Sequence, residues 1–121
     1  IKSKGLGVGA GGSVAIQEKI GGVDGRFTSM HNFWIEILVE AGILFFILFS
    51  AWYIAIIINL YKILRNIKNQ LSLRATAIFL SMVSFIPAAL AASSTVYFFP
   101  MWIMLGLSIA IINLNNSLIH N

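Results

Sequence analysis

Hydrophobic positions along the chain gather into long apolar runs separated by short polar stretches. The first run extends from residue 33 to about 61, the second covers 75–92 and the third 96–112. A helix needs roughly 20 apolar residues, within a range of about 17–25, to cross the hydrocarbon core. The runs lack the polar–apolar alternation of barrel strands, and a backbone in lipid must satisfy its own hydrogen bonds. The pattern therefore predicts an all-α, polytopic membrane protein with three transmembrane helices.

The composition agrees with a membrane protein. Hydrophobic residues make up 59% of the chain and charged residues 10%, whereas a soluble domain averages about 45–50% and about 25%. The chain has no cysteine, which excludes a disulfide framework and a thiolate metal site. It begins with Ile1 rather than Met. We expect it to be the C-terminal part of a longer membrane protein, so that residues elsewhere in the same polypeptide complete its function.

The polar stretch 62–74 sets the expected orientation. Its charged residues are all basic: Lys62, Arg65, Lys68 and Arg74. Short loops rich in Lys and Arg stay in the cytoplasm, so residues 1–32 are expected outside and the tail 113–121 inside. The external segment carries scattered basic residues that oppose this orientation, but Glu18 and Asp24 partly offset them.

A glycine-rich segment, "GLGVGAGGS", occupies residues 5–13. Gly7, Gly9 and Gly12 match the pattern G-x-G-x-x-G, which in a dinucleotide site follows a strand, opens a helix and precedes an acid about 20 residues on. No strand is predicted before it, and a membrane helix follows, so nucleotide binding is rejected. Two interpretations stay open: a flexible external loop, or a backbone cup for an anion such as phosphate. The nearby residues that would help to hold phosphate are Ser13, Lys2, Lys4 and Lys19.

Four polar residues mark the start of the first apolar run. Asn32, Glu36 and Glu40 are spaced four apart and share a helix face, and His31 exchanges protons near neutral pH. An acid in the membrane core costs at least ~2.5 kcal/mol, so such residues usually face a cavity or a partner. Gly42 next to Glu40 would let another helix approach closely. The four residues predict a polar pocket at the external membrane face.

Simpler explanations exist for each of these residues. Asn32 is a suitable helix N-cap, His31 can be an exposed loop residue, and Glu36 can be an interfacial carboxylate. Glu40 lies about two turns into the predicted helix, so the cost of burying its charge makes it the hardest to explain in this way.

The string formed by His31-Asn32, Ile35, Glu40 and Gly42, preceded by "GVGAGGS", resembles the closing region of the O-antigen ligase/polymerase family. Members of that family include lipopolysaccharide O-antigen ligases, capsule and O-antigen polymerases, and teichuronic-acid assembly proteins. The resemblance covers residues 6–46 by motif. Phe45 and Phe46 depart from it, because the family often has small residues after E-x-G.

The resemblance implies a specific reaction at the outer face of the bacterial cytoplasmic membrane. The donor is a glycan on undecaprenyl pyrophosphate, and a hydroxyl of a polysaccharide or lipid acceptor attacks its anomeric carbon. The lipid pyrophosphate leaves. The family uses no metal, nucleotide sugar or other cofactor, and no nucleic-acid partner is expected. Ligase and polymerase activity are not distinguished by these motifs.

The resemblance also assigns roles. His31 is the candidate base or acceptor-positioning group. Glu40 is its structural or electrostatic support, and the two together are the candidate catalytic residues. Arg26 is expected to bind pyrophosphate because its guanidinium offers a bidentate fork, with Lys19 and Asn32 as further contacts.

Two other functions stay open. In the first, the chain belongs to a transporter or flippase, with His31 and Glu40 as a proton-coupled or substrate site. In the second, it is a non-catalytic membrane scaffold whose polar residues are caps and packing contacts. The external glycine-rich segment ending in His-Asn favours the enzyme, because transporters place their acids nearer the midplane.

Overall fold

A computed structural model describes residues 5–20, 32–66, 70–91 and 99–120. These residues contain five α-helices and no strand. The helices are α1 (Gly12–Ile20), α2 (Phe33–Ala41), α3 (Ile43–Asn66), α4 (Gln70–Ala88) and α5 (Phe99–His120).

Three of the helices are long and apolar enough to cross a membrane. The candidate spans are Ile43–Arg65 in α3, Leu71–Ala88 in α4 and Phe99–Ile119 in α5. Many of their large apolar side chains are exposed, as lipid-facing residues must be. The predicted fold class, an all-α multi-pass membrane protein, is confirmed. The stretch 62–74, expected as a loop, is helical over 62–66 in α3 and over 70–74 in α4, and its cytoplasmic position stays a prediction.

The helix boundaries differ from those expected. The continuous helix predicted over 33–61 is two helices, because Gly42 adopts φ 88° and ψ 170° and ends α2. The second span begins earlier and ends earlier than 75–92. The third does not end at 112 but continues to His120, so most of the predicted tail 113–121 is helical. Leu114 and Leu118, spaced four apart, keep an apolar row on this last part of α5.

The chain divides into two compact units. The first, which we call the loop unit, comprises Ile1–Ser50 and Ala88–Tyr97. The second, the helix unit, comprises Ala51–Pro87 and Phe98–Asn121.

The helix unit is held by rows of buried side chains at helical spacing. On α3 the buried row is Tyr53, Ile56, Leu60 and Ile63. Tyr53 packs near Phe85, with ring centroids 6.5 Å apart, and donates its hydroxyl to the carbonyl oxygen of Met82 at 2.7 Å. This bond satisfies the polar end of an otherwise buried ring.

In the loop unit, α2 folds back along the first turns of α3. The ring centroids of Phe33 and Phe49 are 6.1 Å apart, whereas a straight helix would separate these residues by about 24 Å at ~1.5 Å per residue. Phe45 stacks on Phe49 on the same side. The backbone N–H of Phe33 also donates to the carbonyl oxygen of Ala89 at 3.0 Å. Gly42 is therefore the turn of a tight helical hairpin.

Candidate functional site

The glycine-rich segment docks on the break between α2 and α3. The backbone N–H groups of Val8 and Gly9 donate to the carbonyl oxygens of Val39 and Glu40, at 2.9 and 3.0 Å. The N–H of Ile43 donates to the carbonyl oxygen of Gly5 at 3.0 Å. The last carbonyls and first N–H groups of a helix have no partner within it. The docked segment supplies those partners for the end of α2 and the start of α3.

Two glycines allow this close approach. A Cβ at Gly42 would lie 2.5 Å from the Gly5 carbonyl oxygen and 2.7 Å from the Gly7 nitrogen. A Cβ at Gly7 would lie 2.6 Å from the Gly42 nitrogen. The expectation that Gly42 admits a neighbouring helix is therefore corrected: the backbone that approaches it is the glycine-rich segment of its own chain.

The Glu40 carboxylate links the end of α2 to the glycine-rich segment and the start of α1. Its Oε1 accepts hydrogen bonds from the Gly11 N–H at 3.0 Å and from the Ser13 hydroxyl at 2.6 Å. Ser13 is buried, with 4% of its surface exposed, and lies in the first turn of α1. The positive end of the α1 dipole and the two donors favour a negative charge there. We call this set of contacts the Glu40 clamp.

The clamp decides between the two interpretations of the glycine-rich segment. Residues 5–13 are docked rather than extended as a free loop. The segment does hold an anion, as helix N-termini commonly do, but that anion is the chain's own carboxylate. The predicted phosphate cup is therefore wrong at Gly11 and Ser13, because Glu40 occupies both donors.

Asn32 caps the start of α2. Its Oδ1 accepts hydrogen bonds from the N–H groups of Trp34 at 3.1 Å and Ile35 at 3.2 Å. The capping interpretation is confirmed. A contact between Asn32 and pyrophosphate stays a prediction.

The other candidate residues are placed as follows. Glu36 lies in the first turn of α2, where the helix dipole favours its charge, and its Oε2 is enclosed by protein. Lys19 is exposed in the last turn of α1. Arg26 and His31 lie outside the described residues, so their roles stay predictions. Within the described ranges no group of acidic and histidine side chains is arranged to hold a metal.

The G-x-G-x-x-G pattern does not describe how the glycines are used. It matched Gly7, Gly9 and Gly12, whereas positive φ values recur at alternate residues: Gly5, Gly7, Gly9 and Gly11. The alternation is visible in the sequence as G-x-G-x-G-x-G. It indicates a segment in which every second residue needs a backbone conformation that glycine adopts readily.

Comparison with known proteins adds one relative. The chain is 31% identical over 115 residues to the teichuronic acid biosynthesis protein TuaE of Bacillus subtilis (strain 168). The alignment covers 93% of this chain and 24% of that protein, so the chain spans about a quarter of the length of this relative. No family model matches the chain, and no solved structure does either.

This similarity supports the resemblance at a coarse level. The chain has a distant homologue that, by its name, acts in the biosynthesis of a cell-envelope polysaccharide. Membership of the O-antigen ligase/polymerase family stays a prediction.

Proposed function

We propose that this chain is part of a bacterial membrane glycosyltransferase of envelope polysaccharide synthesis. The enzyme, a polymerase or an O-antigen ligase, transfers a glycan from undecaprenyl pyrophosphate to a polysaccharide or lipid hydroxyl outside the cytoplasmic membrane. The Glu40 clamp is the observation that carries the proposal. It joins the two separated parts of the motif, the glycine-rich segment and E-x-G, into one structural unit. The name of the relative supports the same pathway class.

The clamp is relevant to catalysis because residues 21–31 lie between the two helices that it joins. Residues 21–31, which include Arg26 and His31, connect the end of α1 to the start of α2. The clamp fixes the start of α1 against the end of α2, and the Asn32 cap fixes where α2 begins. Positioning of the reacting groups is a large part of catalysis, and we propose that anchoring the two flanking helices serves it.

Each residue then has a role in the transfer. His31 takes the proton of the acceptor hydroxyl as that oxygen bonds to the anomeric carbon. Arg26 and Lys19 counter the charge that develops on the departing pyrophosphate, which is often the largest catalytic contribution. The carboxylate of Glu40 is engaged with the loop, so we assign it as a positioning residue rather than a catalytic one.

The same contacts weaken the transporter alternative. A proton-coupled acid must exchange its proton with water or a substrate during each cycle. Glu40 Oε1 instead accepts from two donors of the docked segment, one of them on buried Ser13. Oε1 therefore holds the docked segment in place rather than facing a substrate.

The test uses the full-length protein and the two histidines of this chain. His31→Ala should lower polysaccharide synthesis by about 100-fold or more, the usual contribution of a general base. His120→Ala, at the end of α5, is the matched control and should leave synthesis unchanged. Arg26→Ala should also reduce synthesis, whereas Arg74→Ala should not. Normal polymer at normal protein level in His31→Ala would overturn the enzyme proposal.

The accumulating lipid intermediate separates the two activities. A failed polymerase leaves single repeat units on the lipid pyrophosphate, because no chain is extended. A failed ligase leaves long polymer on that lipid, because only the final transfer is lost. Mass analysis of lipid-linked glycans from the His31→Ala strain therefore distinguishes polymerase from ligase activity.

A further inference from the structure

A groove of about 420 Å³ lies between α3 and α5 within the helix unit. α3 contributes Asn59, Lys62 and Ile63, which are spaced three and four residues apart and share a face. α5 contributes Asn115 and Asn116 together with Ile112 and Ile119. These polar residues of α5 were expected in the cytoplasmic tail 113–121, after the end of the third helix. Because the helix continues to His120, they face Lys62 across the groove instead.

The groove combines a cation with amides and apolar walls. Lys62 is exposed and carries three N–H donors. The Nδ2 of Asn59 donates to the carbonyl oxygen of Ala55 at 2.9 Å, which leaves its Oδ1 as an acceptor. Asn115 and Asn116 offer both donors and acceptors. A phosphate with neighbouring hydroxyl groups matches this set, and the isoleucines match the first part of an acyl chain.

The charge of this half of the chain favours an anion. Every acidic residue of the protein lies at or before Glu40, so residues 41–121 contain no Asp or Glu. Arg65 is directed to another contact, with its guanidinium carbon 5.9 Å from the centre of the Tyr61 ring. Lys62 therefore presents its charge to the groove with no acidic residue in the helix unit to neutralise it.

The position along the helices fits a lipid headgroup. Lys62 lies three residues before the end of the span Ile43–Arg65, and Asn116 lies three before the end of Phe99–Ile119. Both are within one turn of where the apolar spans stop. Basic pockets between membrane helices at this level bind anionic headgroups.

We propose that this groove binds the headgroup of phosphatidylglycerol, an anionic phospholipid whose phosphate pairs with Lys62 and whose hydroxyls pair with the asparagine amides. The site is independent of the transferase function and of residues 1–32. It would anchor α3 against α5 at one face of the bilayer.

The experiment measures lipid bound to the full-length protein. The purified protein is titrated in nanodiscs or micelles with phosphatidylglycerol or phosphatidylcholine, and bound lipid is counted by native mass spectrometry. The wild type should retain phosphatidylglycerol in preference to phosphatidylcholine. Lys62→Gln should weaken apparent affinity about fivefold, since one basic residue near a membrane surface contributes ~1 kcal/mol. Lys62→Arg should preserve binding, and Asn116→Leu should weaken it.

Arg74→Gln is the matched control, because it removes the same charge from an exposed residue that does not line the groove. It should leave binding unchanged. Equal losses in Lys62→Gln and Arg74→Gln would show a general charge effect and overturn the site. So would a wild type without preference for phosphatidylglycerol, as expected if another helix of the polypeptide fills the groove. Competition by soluble glycerol phosphate at equal concentration would make it a free-phosphate site and likewise overturn the lipid proposal.

Discussion

In the loop unit, Ser13 donates its hydroxyl to a carboxylate 27 residues further along the chain. In the helix unit, Ser81 and Ser108 donate to carbonyl oxygens four residues earlier in their own helices. Asn59 and Thr76 do the same with their side-chain donors. A polar side chain bonded to its own helix can sit in an apolar span without a partner elsewhere. Such a bond therefore carries little information about the fold.

The long-range bonds of the loop unit have a different consequence. They tie a glycine-rich segment, which has little intrinsic structure, to a helix break that is close to it only in the folded chain. Glu40 and Ser13 of the loop unit should therefore be far more sensitive to substitution than Asn59, Thr76, Ser81 and Ser108, which bond within their own helices. Tyr53 is the exception in the helix unit, because its hydroxyl bonds to Met82 of the next helix.

The largest expected effect is at Gly42. Gly42→Ala forces a Cβ to within 2.5 Å of the Gly5 carbonyl oxygen at a backbone conformation that only glycine adopts readily. Backbone strain of about 1–3 kcal/mol and overpacking of about 1–3 kcal/mol should together prevent docking. The fraction of full-length protein that is monodisperse after extraction, and its apparent Tm, report the loss.

Gly106→Ala is the control for Gly42→Ala. Among the residues that the structure describes, a Cβ at Gly106 in α5 would meet no atom within 4 Å apart from the backbone of its own helix. Alanine in a helix interior is also more stable than glycine by about 1 kcal/mol, so the apparent Tm should stay the same or rise. Equal losses of apparent Tm in Gly42→Ala and Gly106→Ala would contradict the expected difference between the loop unit and the helix unit.

The second effect is at Glu40. Glu40→Ala removes the acceptor of two hydrogen bonds and should cost about 1.5–3 kcal/mol of stability, as hydrogen bonds to charged groups do. Glu40→Gln keeps an oxygen that can accept from Gly11 and Ser13, so it should retain most of the apparent Tm. It should also retain most polysaccharide synthesis if Glu40 is a positioning residue.

The two Glu40 variants separate structure from chemistry. A Glu40→Gln protein with wild-type Tm but no polymer would show that the negative charge itself is catalytic, and would contradict the positioning role. Altered pH dependence of substrate uptake in vesicles with normal polymer would support the transporter alternative.

The smallest effect is at Asn32. Asn32→Ala removes the α2 cap and should lower stability by about 1 kcal/mol, whereas Asn32→Ser keeps a capping oxygen and should restore it. Thermal unfolding of both variants measures the difference. Loss of polysaccharide synthesis in Asn32→Ser at normal stability would show that the asparagine amide also contacts substrate.

The sequence was sufficient for the features that depend on local pattern. Apolar length alone predicted the three spans, because the bilayer sets a minimum that few soluble helices meet. The Asn32 cap was foreseen as an alternative, because capping depends only on residue type and the next few residues. The groove proposed to bind lipid includes residues at the end of α5. This part of the helix was not predicted, because residues 113–121 include many polar side chains.

The break at Gly42 and the docking of residues 5–13 could not be predicted in the same way. Residues 33–61 are mostly apolar on both sides of Gly42, apart from Glu36 and Glu40 before it. One glycine inside such a run usually lowers helix stability without ending the helix. What ends the helix is the backbone of Gly5 and Gly7, more than 30 residues away in sequence. For Glu40, the cost of a membrane acid indicated a partner, but nothing local identified Ser13.

Hydrogen exchange of the peptide covering residues 5–13 tests the Glu40 clamp most directly. The N–H groups of Val8, Gly9 and Gly11 are bound in the docked segment, so in the full-length wild type and in Glu40→Gln this peptide should exchange slowly. In Glu40→Ala it should exchange much faster, while peptides from α5 stay unchanged. Exchange of the wild-type peptide at the rate of an unstructured chain would contradict the clamp.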